Sequence, residues 1–238
     1  MGKKPIKRKG CDPSEISAFV KKTKEMTANI DGNNHRVFIS VSNIKMNDGT
    51  AIIPSVSLPP VLTCSNCAQC SKYCYALKMA RLRKAVNGTW ARNLAVYQAD
   101  IDRYFGEVAF FAKGYRNFRW HVAGDILSDS YLQGMVKVAQ ECPSTSFLAF
   151  TKSFDIVNRY LDAGNSLPKN LKIVFSGWVG LEMKNPYNLP TSHPIFADGT
   201  TSAPNGAKWC GGNCSECAAH SSGCWTMKNG DAVIFALH

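Results

Sequence analysis

The chain has 238 residues and a formal net charge of +11, enough length to bury one large core or two small ones. Hydrophobic residues at 45% and charged residues at 19% exclude a disordered chain, and no apolar run approaches the roughly 20 residues that cross a bilayer. The basic start (Lys3, Lys4, Lys7, Arg8, Lys9) leads into the polar run 11–15 rather than an apolar stretch, so the sequence predicts no secretory signal and a cytoplasmic protein.

Residues 1–10 read as a disordered basic arm, and residues 11–238 as a single α/β domain. Asp12 as N-cap and Pro13 in the first turn predict a helix to about Met26. Strands are expected over 37–41 and, with Pro54 inside it, over 51–56. A long helical region follows from about Cys74 to Gly114, broken near the turn-favouring pair Asn87-Gly88. Strand and helix then alternate. Strands are expected at 118–123, 147–150 and 171–175, with shorter late ones at 194–197 and 232–236. Ser128 caps a helix to about Glu141, and Ser153 caps another that stops near Gly164. Such alternation argues a parallel sheet. A complete eightfold barrel takes about 250 residues, and the N-terminal third here is largely helical. The expected fold is therefore an incomplete or modified TIM-like (β/α) barrel with cysteine-rich loops at 64–74 and 210–224.

Ten cysteines without an export signal are unlike a disulfide framework, because cytosolic thiols stay reduced. Eight fall into two sets: Cys64, Cys67, Cys70 and Cys74 at C-x2-C-x2-C-x3-C, and Cys210, Cys214, Cys217 and Cys224 at C-x3-C-x2-C-x6-C. Cys11 and Cys142 stand apart, and Cys142 before Pro143 reads as an inert thiol. Two sets of four read as metal ligands. Zinc usually joins two C-x2-C pairs a dozen or more residues apart, whereas three cysteines at intervals of three can wrap a cube of iron and sulfide. The first set has the spacing of the bacterial ferredoxin run, with Tyr75 where that run has proline; ligands can cross between clusters in such proteins. Cys210, Cys214 and Cys217 have the triplet spacing of radical S-adenosylmethionine enzymes, although at the end of the chain. One or two [4Fe-4S] clusters are expected, with zinc as the alternative and S-adenosylmethionine as a further candidate ligand.

Functional groups of parallel α/β folds collect at the carboxyl ends of the strands. Those ends carry Asp125, Thr151, Lys152 and Ser176, with Trp178 close by. The loop 64–74 leaves an earlier strand and should face the same side. Strand alternation places Arg119, His121, Ala123 and Asp125 on one face, with Arg119 and His121 pointing inward beneath the loop. Asp125, Lys152 and His121 are the catalytic candidates; Arg119, Thr151 and Ser176 are candidates for holding the cofactor. The plainer alternatives are that Asp125 caps the next helix, that His121 is an interior histidine, and that Arg119 pairs with Asp125 or a cluster sulfide. Trp178, Trp209 and Trp225 read as packing around the metal loops.

Several segments also carry a family resemblance: Ser57-Leu58-Pro59-Pro60, Cys74-Tyr75-Ala76-Leu77-Lys78, Val122-Ala123-Gly124-Asp125, Phe150-Thr151-Lys152-Ser153, Cys214-Ser215-Glu216-Cys217 and Cys224-Trp225. Over residues 50 to 225 the chain resembles the phage family called gene product eighty-eight, with a wider Cys217–Cys224 spacing than that family leads one to expect. The resemblance implies a bacteriophage origin, hence the host cytoplasm, and a barrel related to radical S-adenosylmethionine proteins. It implies no particular reaction.

Two function classes follow, and a third beside them. The first is an iron–sulfur redox or radical-type enzyme acting on a small molecule or an electron-transfer partner. The second is a zinc- or cluster-stapled module that binds nucleic acid or a host protein. Residues 71–98 hold Lys72, Lys78, Arg81, Arg83, Lys84 and Arg92 without one acidic residue, and Lys78, Arg81 and Lys84 can share a helical face suited to phosphates. The third is a redox or oxygen sensor.

Overall fold

The structure, a computed structural model, describes residues 10–43 and 45–237. The expected basic arm lies outside the described residues but for Gly10.

The first helix, α1 (Pro13–Ala28), opens on a capping box. Asp12 accepts from the Ser14 backbone N–H and Glu15 reaches back to the Asp12 N–H, which satisfies donors that every helix start leaves free. Two short strands follow, β1 (Ile39–Ser40) and β2 (Ser55–Val56). The helical region is three helices: α2 (Tyr75–Leu82), α3 (Lys84–Ala99) and α4 (Ile101–Ala112). The break expected at Asn87-Gly88 falls instead at Arg83, whose backbone is extended. Asn87 stays helical because its buried amide donates to the Thr23 hydroxyl of α1 at 3.1 Å, so it has no need of a turn. Lys84 consequently belongs to a different helix from Lys78 and Arg81.

The alternating half runs β3 (Asn117–Trp120), α5 (Asp129–Glu141), β4 (Ser146–Thr151), α6 (Phe154–Asp162), β5 (Leu171–Ser176) and β6 (Thr191–Ile195). Ser128 caps α5 through the Tyr131 N–H as expected. Ser153 holds the cap position of α6, but its hydroxyl donates to the Ile126 carbonyl instead. Gly164 follows α6 at φ +80°, the left-handed end that glycine adopts without cost. The chain closes with β7 (Lys208–Trp209), α7 (Cys214–Ala219) and β8 (Ala232–Ala236).

The sheet has eight strands in the order β1-β2-β3-β4-β5-β6-β8-β7, parallel throughout except that β1 is antiparallel to β2. Its two edges do not pair, so the barrel of the sequence reading is an open sheet. One face presents Phe118, Trp120, Phe147, Ala149, Ile173 and Phe175 to the helices. Along α5, Tyr131, Leu132, Met135, Val136 and Ala139 recur at helical spacing and bury their stripe on that face. The opposite face presents Leu148, Phe150, Val174 and Val233, covered by Met227, Trp225, Cys210 and Cys224. The second cysteine segment is thus the lid of the second face. No helix among the described residues is long and apolar enough to cross a membrane.

Candidate metal centre

The loop 64–74 lies over the carboxyl ends of β3 and β4. Asn66 donates its amide to the Lys152 carbonyl at 2.7 Å, and the hydroxyls of Ser65 and Ser153 meet at 2.9 Å. The loop is held from below by Gly124 at φ +81°, where a Cβ would stand 2.7 Å from both Leu58 Cβ and Thr63 Oγ1. Only glycine allows that approach.

Asp125 is buried beneath the loop, where its carboxylate takes three bonds: from the Thr151 hydroxyl at 2.6 Å, the Ile126 N–H at 2.7 Å and the Lys152 N–H at 2.9 Å. Burial pushes its pKa up, and those donors pull against the shift. It does not cap α5, and the Arg119 pairing is not made. Thr151 also accepts from the Ser153 N–H, so its hydroxyl is fully engaged in fixing the strand ends. Lys152 donates to Ser176 at 3.1 Å and stands 5.6 Å from the centre of the Trp178 ring. Trp178 stacks on Tyr73 of the cysteine loop, and Phe196 meets both edge-on. Asp125, Thr151, Lys152, Ser176 and Trp178 therefore gather as expected.

The four thiols of the loop share this neighbourhood. Burial raises the pKa of all four. The Asp125 carboxylate adds to it at Cys64, Cys67 and Cys70, the thiols raise one another, and the Lys152 ammonium opposes the shift at Cys67, Cys70 and Cys74. Cys74 is the N-cap of α2, its sulfur accepting the Leu77 N–H at 3.4 Å, where the helix dipole favours a thiolate. Cys11 packs in the same small cluster as Cys74, with Phe19 and Leu77, although sixty-odd residues separate them in the chain.

Arg119 reaches Cys214 and Cys224 of the second set. Its Nη1 donates to Cys214 Sγ at 3.9 Å, its guanidinium lies 4.6 Å from the Phe150 ring centre, and its buried Nε has no partner. Burial and the neighbouring Cys210 and Cys214 push the Cys224 thiol up to about 12, against the pull of Arg119. Burial likewise raises Cys217, with Cys214 and Cys210 adding to it. Among the described residues, no group of three or more His, Cys, Asp or Glu side chains is assembled that could hold a metal ion. The thiols stand as neighbours, not as a closed cage.

His121 is not part of either gathering. Its backbone turns to φ +54°, which ends β3 at Trp120 and breaks the alternation expected to keep it beside Arg119. The ring packs toward the helices instead, 3.0 Å from the Tyr131 hydroxyl. Burial, with help from the Arg119 charge, pushes its pKa down to about 3, so it is a neutral interior histidine. Cys142 is buried at the end of α5, its thiol directed at the Ala109 carbonyl. Trp225 packs on the cluster of the second face and on that of Met46, Ile53 and Ala218, and Trp209 is exposed.

Three features escape the sequence reading. Ser192, opposite Ser176 in the β5–β6 register, has a buried hydroxyl without a partner. His193 is buried with Nε2 unpartnered. A cavity of about 500 Å³ opens beside Cys64, lined by Lys24, Leu62, Thr63, Leu94 and Gln98. Each is assembled from segments far apart in sequence.

The strand ends and two thiol sets define an α/β protein with paired cysteine-lined sites on one open sheet. Its family follows from the sequence match: the chain belongs to the bacteriophage family Gene product 88, whose model matches residues 18–183. That span contains the first thiol set, Arg119, Asp125 and Lys152, and ends before the second set, so the resemblance of 214–217 and 224–225 lies outside it. No curated protein and no solved structure matches the chain.

Proposed function

We propose that this phage protein is an iron–sulfur protein, with [4Fe-4S] clusters on Cys64, Cys67, Cys70 and Cys74 and on Cys210, Cys214, Cys217 and Cys224. The observation that carries the reading is a half-buried Arg119 that donates to Cys214, acts on Cys224 and keeps a buried Nε–H without a partner. A four-thiolate [4Fe-4S]²⁺ site carries about −2, and a cation with a free N–H donor suits such an anion. The first set has the matching cation in Lys152. The donor chemistry, four thiols with a cation beside them in each set, suits such a cluster, and the spacing favours it over zinc.

Bound there, such a cluster supplies one-electron transfer, in a redox or radical-type enzyme. Arg119 and Lys152 offset its charge. Asp125 and Thr151 are positioning residues that fix the strand ends beneath the loop. Lys152, with Ser176 and Trp178 beside it, is the group that faces a substrate. The consecutive order of β2 to β6 supports reading the open sheet as an incomplete barrel.

Anaerobic purification tests this. The expected product is brown, absorbs near about 400 nm and carries iron and sulfide in stoichiometric amount. A colourless protein with zinc alone overturns it. Binding of S-adenosylmethionine to the loaded protein then separates radical chemistry from electron transfer.

A second reading is a nucleic-acid-binding module, favoured by the exposure of Lys72 in the cysteine loop, Lys78 on α2, Arg83 between α2 and α3, and Lys84 on α3. Arg81, however, is held bidentately by Glu15 and adds little free charge. DNA and RNA titrations at two salt concentrations decide it. Weak binding insensitive to salt removes a backbone-tracking mode.

A further inference from the structure

The two thiol sets lie far apart in sequence and on different segments, yet one side chain reaches from the first to the surroundings of the second. Tyr75 follows Cys74 directly, and its hydroxyl donates to the Val122 carbonyl. Val122 packs on the same cluster of Met46, Ile53 and Ala218 as Cys214 and Trp225. Arg119, one strand residue before Trp120, donates to Cys214 Sγ. The Tyr75 phenol accordingly has Arg119, Cys74 and Cys214 as its charged or chargeable neighbours. Tyr75 is partly exposed, and its hydroxyl end is fixed on the Val122 carbonyl, on the side of the second set.

We infer that the two cysteine sets work as one electron-transfer unit, with the Tyr75 ring as the bridge between them. This rests on the iron–sulfur reading above. With clusters held by the two sets, the step would be a one-electron exchange from the reduced set to the oxidised one. No bond forms or breaks and no proton moves. A low-potential one-electron carrier supplies the electron, with dithionite in its place in the test. The bridge joins one set within the family match to one outside it.

The experiment uses the full chain loaded with iron and sulfide, reduced with dithionite and examined by electron paramagnetic resonance. The Cys210→Ser/Cys214→Ser variant reports the first set alone, and Cys64→Ser/Cys67→Ser the second. The spectrum of the fully reduced wild type should be broadened or split beyond the sum of the two variant spectra. After substoichiometric reduction, freeze-quenched samples should show electron exchange slowed several-fold in Tyr75→Leu. In Tyr75→Phe, which keeps the ring and loses only the bond to Val122, exchange should stay closer to wild type. Iron content is measured on every sample. Iron at both sets with strictly additive spectra, or exchange in Tyr75→Leu as fast as in wild type, overturns the bridge and leaves the iron–sulfur reading standing. A wild type with iron at neither set overturns both.

Discussion

The Asp125 carboxylate accepts the Thr151 hydroxyl at 2.6 Å, and this one bond ties the turn after β3 to the end of β4. Two backbone N–H groups complete the carboxylate's shell. Burying a carboxylate is costly, and three donors offset that cost. Thr151→Val should therefore destabilise the protein by about 1–3 kcal/mol in urea denaturation, because it leaves a buried acceptor short of a donor. Asp125→Asn should cost a comparable amount, since its amide presents N–H toward N–H. The double variant should cost clearly less than the sum. Strict additivity would show that the two side chains do not act as a pair.

Much of the fold is legible because its signals are local. Ser128, Ser153, Gly164 and the apolar runs between them mark the elements from β3 to α6, and Asp12 with Pro13 marks α1. The strand-end chemistry at Asp125, Thr151, Lys152 and Ser176 follows from the parallel sheet alone. What the sequence hides depends on distant partners. His121 leaves the expected face because its left-handed backbone and Tyr131 set its direction. Arg81 looks like a free cation until Glu15 is folded against it. Cys11 looks isolated until α1 packs on α2. The short β7 and α7 have too few residues to show a period, and they form where the second cysteine segment covers the sheet.

His121 gives a pH signature of known sign. Folding holds its imidazole neutral, with a pKa near 3, while the unfolded chain takes up the proton near about 6.5. Between those values the unfolded state binds one more proton, so stability falls as pH falls, by up to about 1.4 kcal/mol per unit. His121→Asn removes the titration and tolerates the left-handed backbone. Its stability, measured by urea denaturation from pH 6.5 to pH 4, should decline with a slope smaller by about one proton. Equal slopes in the two proteins would mean that another group governs acid sensitivity.

Gly124→Ala tests the approach of the first cysteine loop. The added methyl group would stand 2.7 Å from Leu58 Cβ and 2.9 Å from the Leu58 carbonyl oxygen, at a φ that alanine disfavours. The expected loss is about 2 kcal/mol or more. Thr63, on the other side of the contact, precedes Cys64, so on the proposed iron–sulfur function retention of iron should weaken at the first set and not at the second. Equal loss from both sets, read in variants that keep one set each, would point to general unfolding.

Arg119 should tune the second set alone. It contributes a positive charge and an N–H donor to Cys214, and its planar group rests on Phe150. Hydrogen bonds and cations near cluster sulfurs stabilise the reduced, more negative state and so raise the potential. Lysine keeps the charge but loses the planar fork, and methionine loses both. If the proposed clusters are present, the potential at the second set should therefore fall from Arg119 to Arg119→Lys to Arg119→Met, by tens of millivolts in all, in a dithionite titration followed by electron paramagnetic resonance. The first thiol set has its own cation in Lys152, so a cluster there should titrate nearly unchanged, whereas Lys152→Met should reverse the pattern. A common shift of both potentials in Arg119→Met would mean that the guanidinium acts through the whole fold, and no shift at either would remove it from the second site.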